Sequence, residues 1–172
     1  VGRILLGLGA NLGDPARQLA GALGALGAVA RIDAVSSLYR SAPVGYREQP
    51  DFYNLVASGE TQLSPEALLV ALHSVERELG RVRSFPNAPR TIDIDLLAYD
   101  GVVSDAPELV LPHPRLHERA FVLVPLAEIA PEWVHPVLGR TAGELLYDAG
   151  PLEPVERVAP PPHPTPDRPT DS

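Results

Sequence analysis

At 172 residues and 45% apolar composition the chain has the length of one domain with a substantial core, and no apolar run approaches the roughly 20 residues that span a bilayer. Its net charge of −8 argues against a nucleic-acid partner, and it lacks the basic flank and apolar segment of a secretory leader, so a soluble cytoplasmic protein is expected. The absence of Cys excludes a disulfide framework, a thiol nucleophile and a thiolate zinc site, while the absence of Lys (all 14 basic residues are Arg) excludes a P-loop lysine, a protein-kinase lysine and Schiff-base chemistry.

Arg3 to Ala10 reads as a first strand, apolar and punctuated by Gly7 and Gly9. A dinucleotide fingerprint would need its third glycine at Leu12, so that pattern fails. Asn11 to Asp14 forms a turn, and Asp14 caps a helix that has Pro15 at its first position. Leu19, Ala22, Leu23 and Leu26 give this helix an apolar stripe, and Gly27 ends it. Val29 to Leu38 reads as a second strand, and Ser41 to Pro50 as a loop punctuated by Pro and Gly. In the next strand, Asp51 to Gln62, Phe52, Asn54 and Val56 alternate with Tyr53, Leu55 and Ala57. Asn54 needs partners if buried, at a cost of about 1–3 kcal/mol without them; at a turn or an edge it needs none. Ser64-Pro65-Glu66 opens a second long helix with Leu68, Leu69, Leu72, Val75 and Leu79 facing inward and Gly80 at its end. Glu76 lies near that end, where the helix dipole disfavours a carboxylate.

Arg77, Arg81, Arg83 and Arg90 then form a basic island in an acidic chain, directly before Thr91-Ile92-Asp93-Ile94-Asp95-Leu96-Leu97. A strand turns successive side chains to opposite faces, so Asp93 and Asp95 share one face and Ile92, Ile94 and Leu96 the other. Two neighbouring carboxylates repel unless a cation lies between them, and hard oxygen ligands beside arginines suit a Mg²⁺-bound polyphosphate. An amphipathic strand with a solvated acidic face fits the same pattern.

A turn at Asp100-Gly101 and the apolar pair Val102-Val103 suggest a hairpin. Leu109 to Pro114 follows, then a buried helix from Phe121 to Ile129 interrupted by Pro125, and a last short helix holding Leu145 and Leu146 that Thr141 caps. From Pro151 onward eight of 22 residues are Pro. That composition predicts an extended, mobile tail, and so a domain at 1–150 followed by a Pro-rich segment at 151–172. Strands interleaved with two long helices predict an α+β fold with helices packed on a mostly antiparallel sheet.

Several of these stretches, in order, resemble 6-hydroxymethyl-7,8-dihydropterin pyrophosphokinase of folate biosynthesis. They are Gly9-Ala10-Asn11-Leu12-Gly13, Ser36 to Ser41, Gln49 to Asn54, and Glu76 with Gly80-Arg81-Val82-Arg83. The most specific are Pro89 to Leu97 and Pro112 to Phe121, and the likeness covers roughly residues 3 to 147. The resemblance implies a ferredoxin-like α/β sandwich that moves the β,γ-pyrophosphoryl group of ATP onto the pterin hydroxymethyl oxygen and releases AMP. It implies two Mg²⁺ ions, with Asp93 and Asp95 as their ligands, and a catalytic set of Arg81, Arg90, Asp93 and Asp95. It further implies an ATP site of Glu76, Arg81, Arg83, Arg90, Ile92, His113 and Arg119. The pterin would lie between Phe52 and Phe121, with Asn54 on its polar edge and Ala42, Pro43 and Val44 completing the pocket. Small-molecule substrates and a monomer are the expected partners and state.

This sequence departs from the family in one loop. The family's Arg-Trp-Gly-Pro-Arg is replaced by Pro86-Asn87-Ala88-Pro89-Arg90, and the loop after Arg83 is about one residue shorter, leaving Phe85 as its aromatic residue. Other metal-using classes fit less well. A glycosyltransferase with an Asp-x-Asp pair needs a larger nucleotide-binding half, and a phosphatase or nuclease needs further Asp or His ligands at one centre. A non-enzymatic ferredoxin-like binding module needs neither the acidic pair nor the basic island.

Overall fold

The alternation of β1 (Gly2–Ala10) fixes two faces for the sheet in a computed structural model of the chain, which describes residues 1–11, 13–42, 50–81, 92–150 and 152–162 and only the backbone of Arg81. The remaining elements are α1 (Pro15–Leu26), β2 (Arg31–Val35), β3 (Leu38–Ser41), β4 (Phe52–Thr61), α2 (Pro65–Arg81) and β5 (Asp93–Tyr99). They continue with β6 (Ser104–Ala106), β7 (Leu109–Leu111), a 3₁₀ turn at Leu116–Glu118, α3 (Ala120–Ile129), α4 (Ala142–Asp148) and β8 (Val155–Ala159).

Ile4, Leu6, Leu8 and Ala10 point to one face, with Leu55, Ala57, Ile92, Ile94 and Leu96, and meet the apolar stripes of α1 and α2. Leu5 points to the other, with Val56 and Leu97, and meets Val122, Leu123 and Leu126 of α3 and Leu145 of α4. Helices therefore cover both faces, each sealing its own core. The strand order is β5-β1-β4-β3-β8, every pairing is antiparallel, and β2 also pairs with β4. With β2 and β3 counted as one broken strand, this is the split βαβ arrangement of a ferredoxin-like fold, as expected.

Local chemistry accounts for the ends of the helices. The Asp14 carboxylate accepts the Arg17 N–H at 3.3 Å, Ser64 Oγ accepts that of Ala67 at 3.2 Å, and Thr141 and Glu144 form a reciprocal capping box. The helix α3 runs unbroken through Pro125.

The structure corrects three further expectations, besides the interruption expected at Pro125. The strand expected over Val29–Leu38 is two strands, broken at Ser36-Ser37. Ser36 Oγ accepts the Val56 N–H at 2.9 Å, while the Ser37 N–H and hydroxyl both go to the Glu128 carboxylate on α3. The Ser36 N–H still donates to the Val56 carbonyl at 2.9 Å, so side-chain bonds replace half the ladder at Ser36 and all of it at Ser37. The hairpin does not form at Asp100-Gly101, where the chain only turns. It forms at Pro107-Glu108, pairing β6 with β7, because Leu109 and Leu111 then enter the core whereas Val103 stays 60% exposed. Finally, the segment after residue 150 is not wholly a free tail: Val155–Ala159 forms β8 and extends the sheet along β3. Proline spares positions 155–159, which leaves every N–H there free to pair.

Candidate active site at the seam of two cavities

On β5, Asp93 and Asp95 are exposed on one face while Ile94 and Leu96 are buried on the other, as the alternation predicts. The register continues that acidic face across the sheet. Asp93 lies opposite Gly9, which lies opposite Asn54; Asp95 lies opposite Gly7, which lies opposite Val56. In both rows a glycine separates a carboxylate from the next side chain, leaving a low floor over which Leu97 leans at Gly7 and Asn54 at Gly9.

Above this floor opens a cavity of about 590 Å³. Its walls include Ala42, Phe52, Asn54, Arg119 and Phe121, with Asp93 and Asp95 at one side. Asn54 is 9% exposed, and a Cβ added to Gly9 would lie 2.7 Å from its Oδ1. The Arg119 guanidinium sits 5.4 Å from the centre of the Phe121 ring. Arg119 also caps α3, so the positive end of that helix belongs to the same wall.

A second cavity of about 380 Å³ lies on the other side of the acidic pair, lined by Leu69, Glu76, Ile94, Leu111 and His113. Asp93 and Asp95 line both cavities. Glu76 is buried, and its carboxylate accepts the Ile94 N–H at 3.3 Å, tying α2 to the acidic strand. The His113 N–H donates to the Leu97 carbonyl at 2.8 Å, which fixes the Pro112-His113 turn beside β5. Burial lowers the proton affinity of His113; Asp95 opposes this, and Arg119 and Arg115 add to the lowering. The imidazole is therefore neutral at pH 7. Its Nδ1 accepts the Arg115 N–H at 3.3 Å, so the ring proton resides on Nε2 as a donor.

Of the expected site residues, Ala42, Phe52, Asn54 and Phe121 meet in the larger cavity and Glu76 and His113 in the smaller. Arg119 lines the larger cavity, although its charge also reaches His113. Ile92 is buried in the core and lines neither cavity; Ile94 takes the position facing the smaller one. Pro43, Val44, Arg83, Arg90 and the Arg81 side chain lie outside the described residues, as does the shortened loop at 84–88. Sequence reading gave no site role to Gly7, whose signal was its spacing from Gly9 on a strand, nor to Arg115 and Glu118 or to the three C-terminal residues Leu152, Glu153 and Val155.

The donor set bears on metal. Among the described residues no cluster of three or more His, Asp or Glu side chains gathers to hold an ion. Two exposed carboxylates facing open space suit Mg²⁺, which keeps water and substrate phosphate among its ligands and takes only one or two from protein. The residues present fit that group.

The sequence matches the family described as 7,8-dihydro-6-hydroxymethylpterin-pyrophosphokinase (HPPK) over residues 5–131. The chain belongs to this family. A 2-amino-4-hydroxy-6-hydroxymethyldihydropteridine pyrophosphokinase of Methylorubrum extorquens is 48% identical over 91% of this chain and 98% of its own length. The Pseudomonas aeruginosa protein of the same name is 44% identical over 91% and 96%. The HPPK resemblance extends to longer proteins. Folic acid synthesis protein FOL1 of Dictyostelium discoideum is 37% identical over 92% of this chain, which spans only 24% of that protein. A Plasmodium falciparum HPPK-DHPS structure superposes with a TM-score of 0.71 at 18% identity, covering 86% of this chain and 43% of that one, and supports the pyrophosphokinase fold.

Proposed function

We propose that the chain transfers the pyrophosphoryl group of ATP to 6-hydroxymethyl-7,8-dihydropterin, giving the pterin diphosphate and AMP in folate biosynthesis. The hydroxymethyl oxygen forms a bond to the β-phosphorus, the bond from that phosphorus to the α-bridging oxygen breaks, and one proton is released. The observation that carries this reading is the position of Asp93 and Asp95 on the boundary between two cavities. A transfer between two bound substrates needs such a shared edge.

The larger cavity takes the pterin. Phe52 and Phe121 offer aromatic faces to a flat bicycle, and the nearly buried Asn54 amide offers one donor and one acceptor group to its polar edge. The smaller cavity takes ATP, with Leu69, Ile94 and Leu111 for apolar contact and neutral His113 as a donor from Nε2. Asp93 and Asp95 hold two Mg²⁺ ions, which neutralise triphosphate charge and polarise its phosphoryl oxygens when bound. Arg81, Arg83, Arg90 and Arg119 supply guanidinium forks, which keep their charge at any physiological pH. The chain's own contribution is then mostly positioning and electrostatics, as phosphoryl transfer requires.

No described helix is long and apolar enough to cross a membrane, and the demand for ATP supports a cytoplasmic site of action. The test is to incubate the protein with Mg²⁺, the pterin and ATP labelled in its α-phosphate. All label is expected in AMP. Label recovered in ADP would contradict the proposal.

A further inference from the structure

We infer that the C-terminal strand is part of the pterin site: Leu152, Glu153 and Val155, delivered by β8, close one wall of the larger cavity and help set its affinity for the pterin. The inference rests on the assignment of that cavity to the pterin. All three residues line the larger cavity, and none lines the smaller.

The register of the sheet places Val155 by construction. It lies opposite Ser41, which lies opposite Phe52, so Phe52, Ser41 and Val155 form a third row beside the two that carry the acidic pair. Directly opposed residues in antiparallel strands share a face, so Val155 faces the same space as the Phe52 ring. Leu152 is half-buried and packs against the core beneath α3 and α4. Glu153 adds an exposed carboxylate, an acceptor for ring N–H groups.

Two latches hold the strand there. Arg40 pairs with Glu156 across the β3–β8 ladder, and Arg157 Nε donates to Ser37 Oγ at 2.8 Å. Ser37 is itself bonded to Glu128 on α3, the helix that carries Phe121. The two sides of the cavity, β8 and α3, thus meet at one serine. A Pro-rich composition hides this role, because the three lining residues fall between prolines rather than in an apolar run.

The test compares Leu152→Ala, Val155→Ala and the volume-restoring Leu152→Met with a Phe52→Ala control. Dissociation constants for the pterin and for ATP are measured separately by calorimetry, alongside thermal melts. Removing two or three half-buried carbons is expected to weaken pterin binding about 5- to 30-fold in each alanine variant while ATP binding stays within about twofold. Leu152→Met is expected to restore most of the loss. Unchanged pterin affinity in both alanine variants, with Phe52→Ala impaired, would overturn the role of β8 and leave the cavity assignment standing. Equal loss of both substrates with a lowered melting temperature would overturn it in favour of a purely structural strand. Unchanged pterin affinity in Phe52→Ala as well would overturn the cavity assignment itself, and this inference with it.

Discussion

Gly9 shows how little of a binding site need be a functional group. Its value is the volume it does not fill: a Cβ there would press on Asn54 Oδ1 at 2.7 Å. Gly9→Ala is expected to push the amide aside at about 1–3 kcal/mol, a loss of roughly 5- to 150-fold in pterin affinity, with ATP affinity unchanged. Binding measured for each substrate separately checks this, and equal affinity for the pterin would contradict it. At Gly7 a Cβ would meet Leu97 only at ordinary contact distance, 3.4 Å, so Gly7→Ala is expected to be the milder change. The acidic pair was readable from the chain, since Asp93 and Asp95 announce themselves by type and spacing. The glycines were not, because their role exists only once β1 lies between β5 and β4.

At the scale of elements, the acidic strand was the most legible part of the chain. Its two-residue period fixed both faces of β5 before any partner was known. The Ser36-Ser37 break was not legible, since what interrupts the ladder is a carboxylate about 90 residues away in sequence. Glu128 accepts the Ser37 N–H and hydroxyl and the Tyr39 hydroxyl at 2.7 Å. Burial raises its proton affinity, but these bonds outweigh burial and hold its carboxyl below the usual carboxylate range. A carboxylate with a lowered folded pKa stabilises the fold at pH values above its unfolded pKa, and that stability is lost as pH falls through the folded value. Glu128→Gln is therefore expected to cost about 1 kcal/mol at pH 7, solvent screening included, and progressively less in acid. Urea titrations of both proteins across that range read the difference, and a gap that widens in acid would contradict the assignment.

For the whole molecule, the fold class followed from the order of strands and helices, and the reaction from the family that the short, ordered stretches resemble. What the chain did not reveal was long-range closure. The hairpin at Pro107-Glu108 depends on which leucines find the core, and β8 depends on a free edge at β3 that only the assembled sheet possesses. The same assembly produces the central feature, one acidic strand shared by two cavities of about 590 and 380 Å³. If that seam is where Mg²⁺ and the triphosphate meet the pterin, its two functions are separable. Asp95→Ala is expected to lower turnover by at least about a hundredfold, because removing one positioned electrostatic group alone costs that much. Pterin binding without metal is expected to stay within about threefold, since the cavity walls that hold the ring are untouched. The decisive measurement is thus turnover and metal-free pterin affinity on the same Asp95→Ala preparation. Lost turnover with retained pterin binding is the predicted result; undiminished turnover would contradict the placement of the metal at this seam.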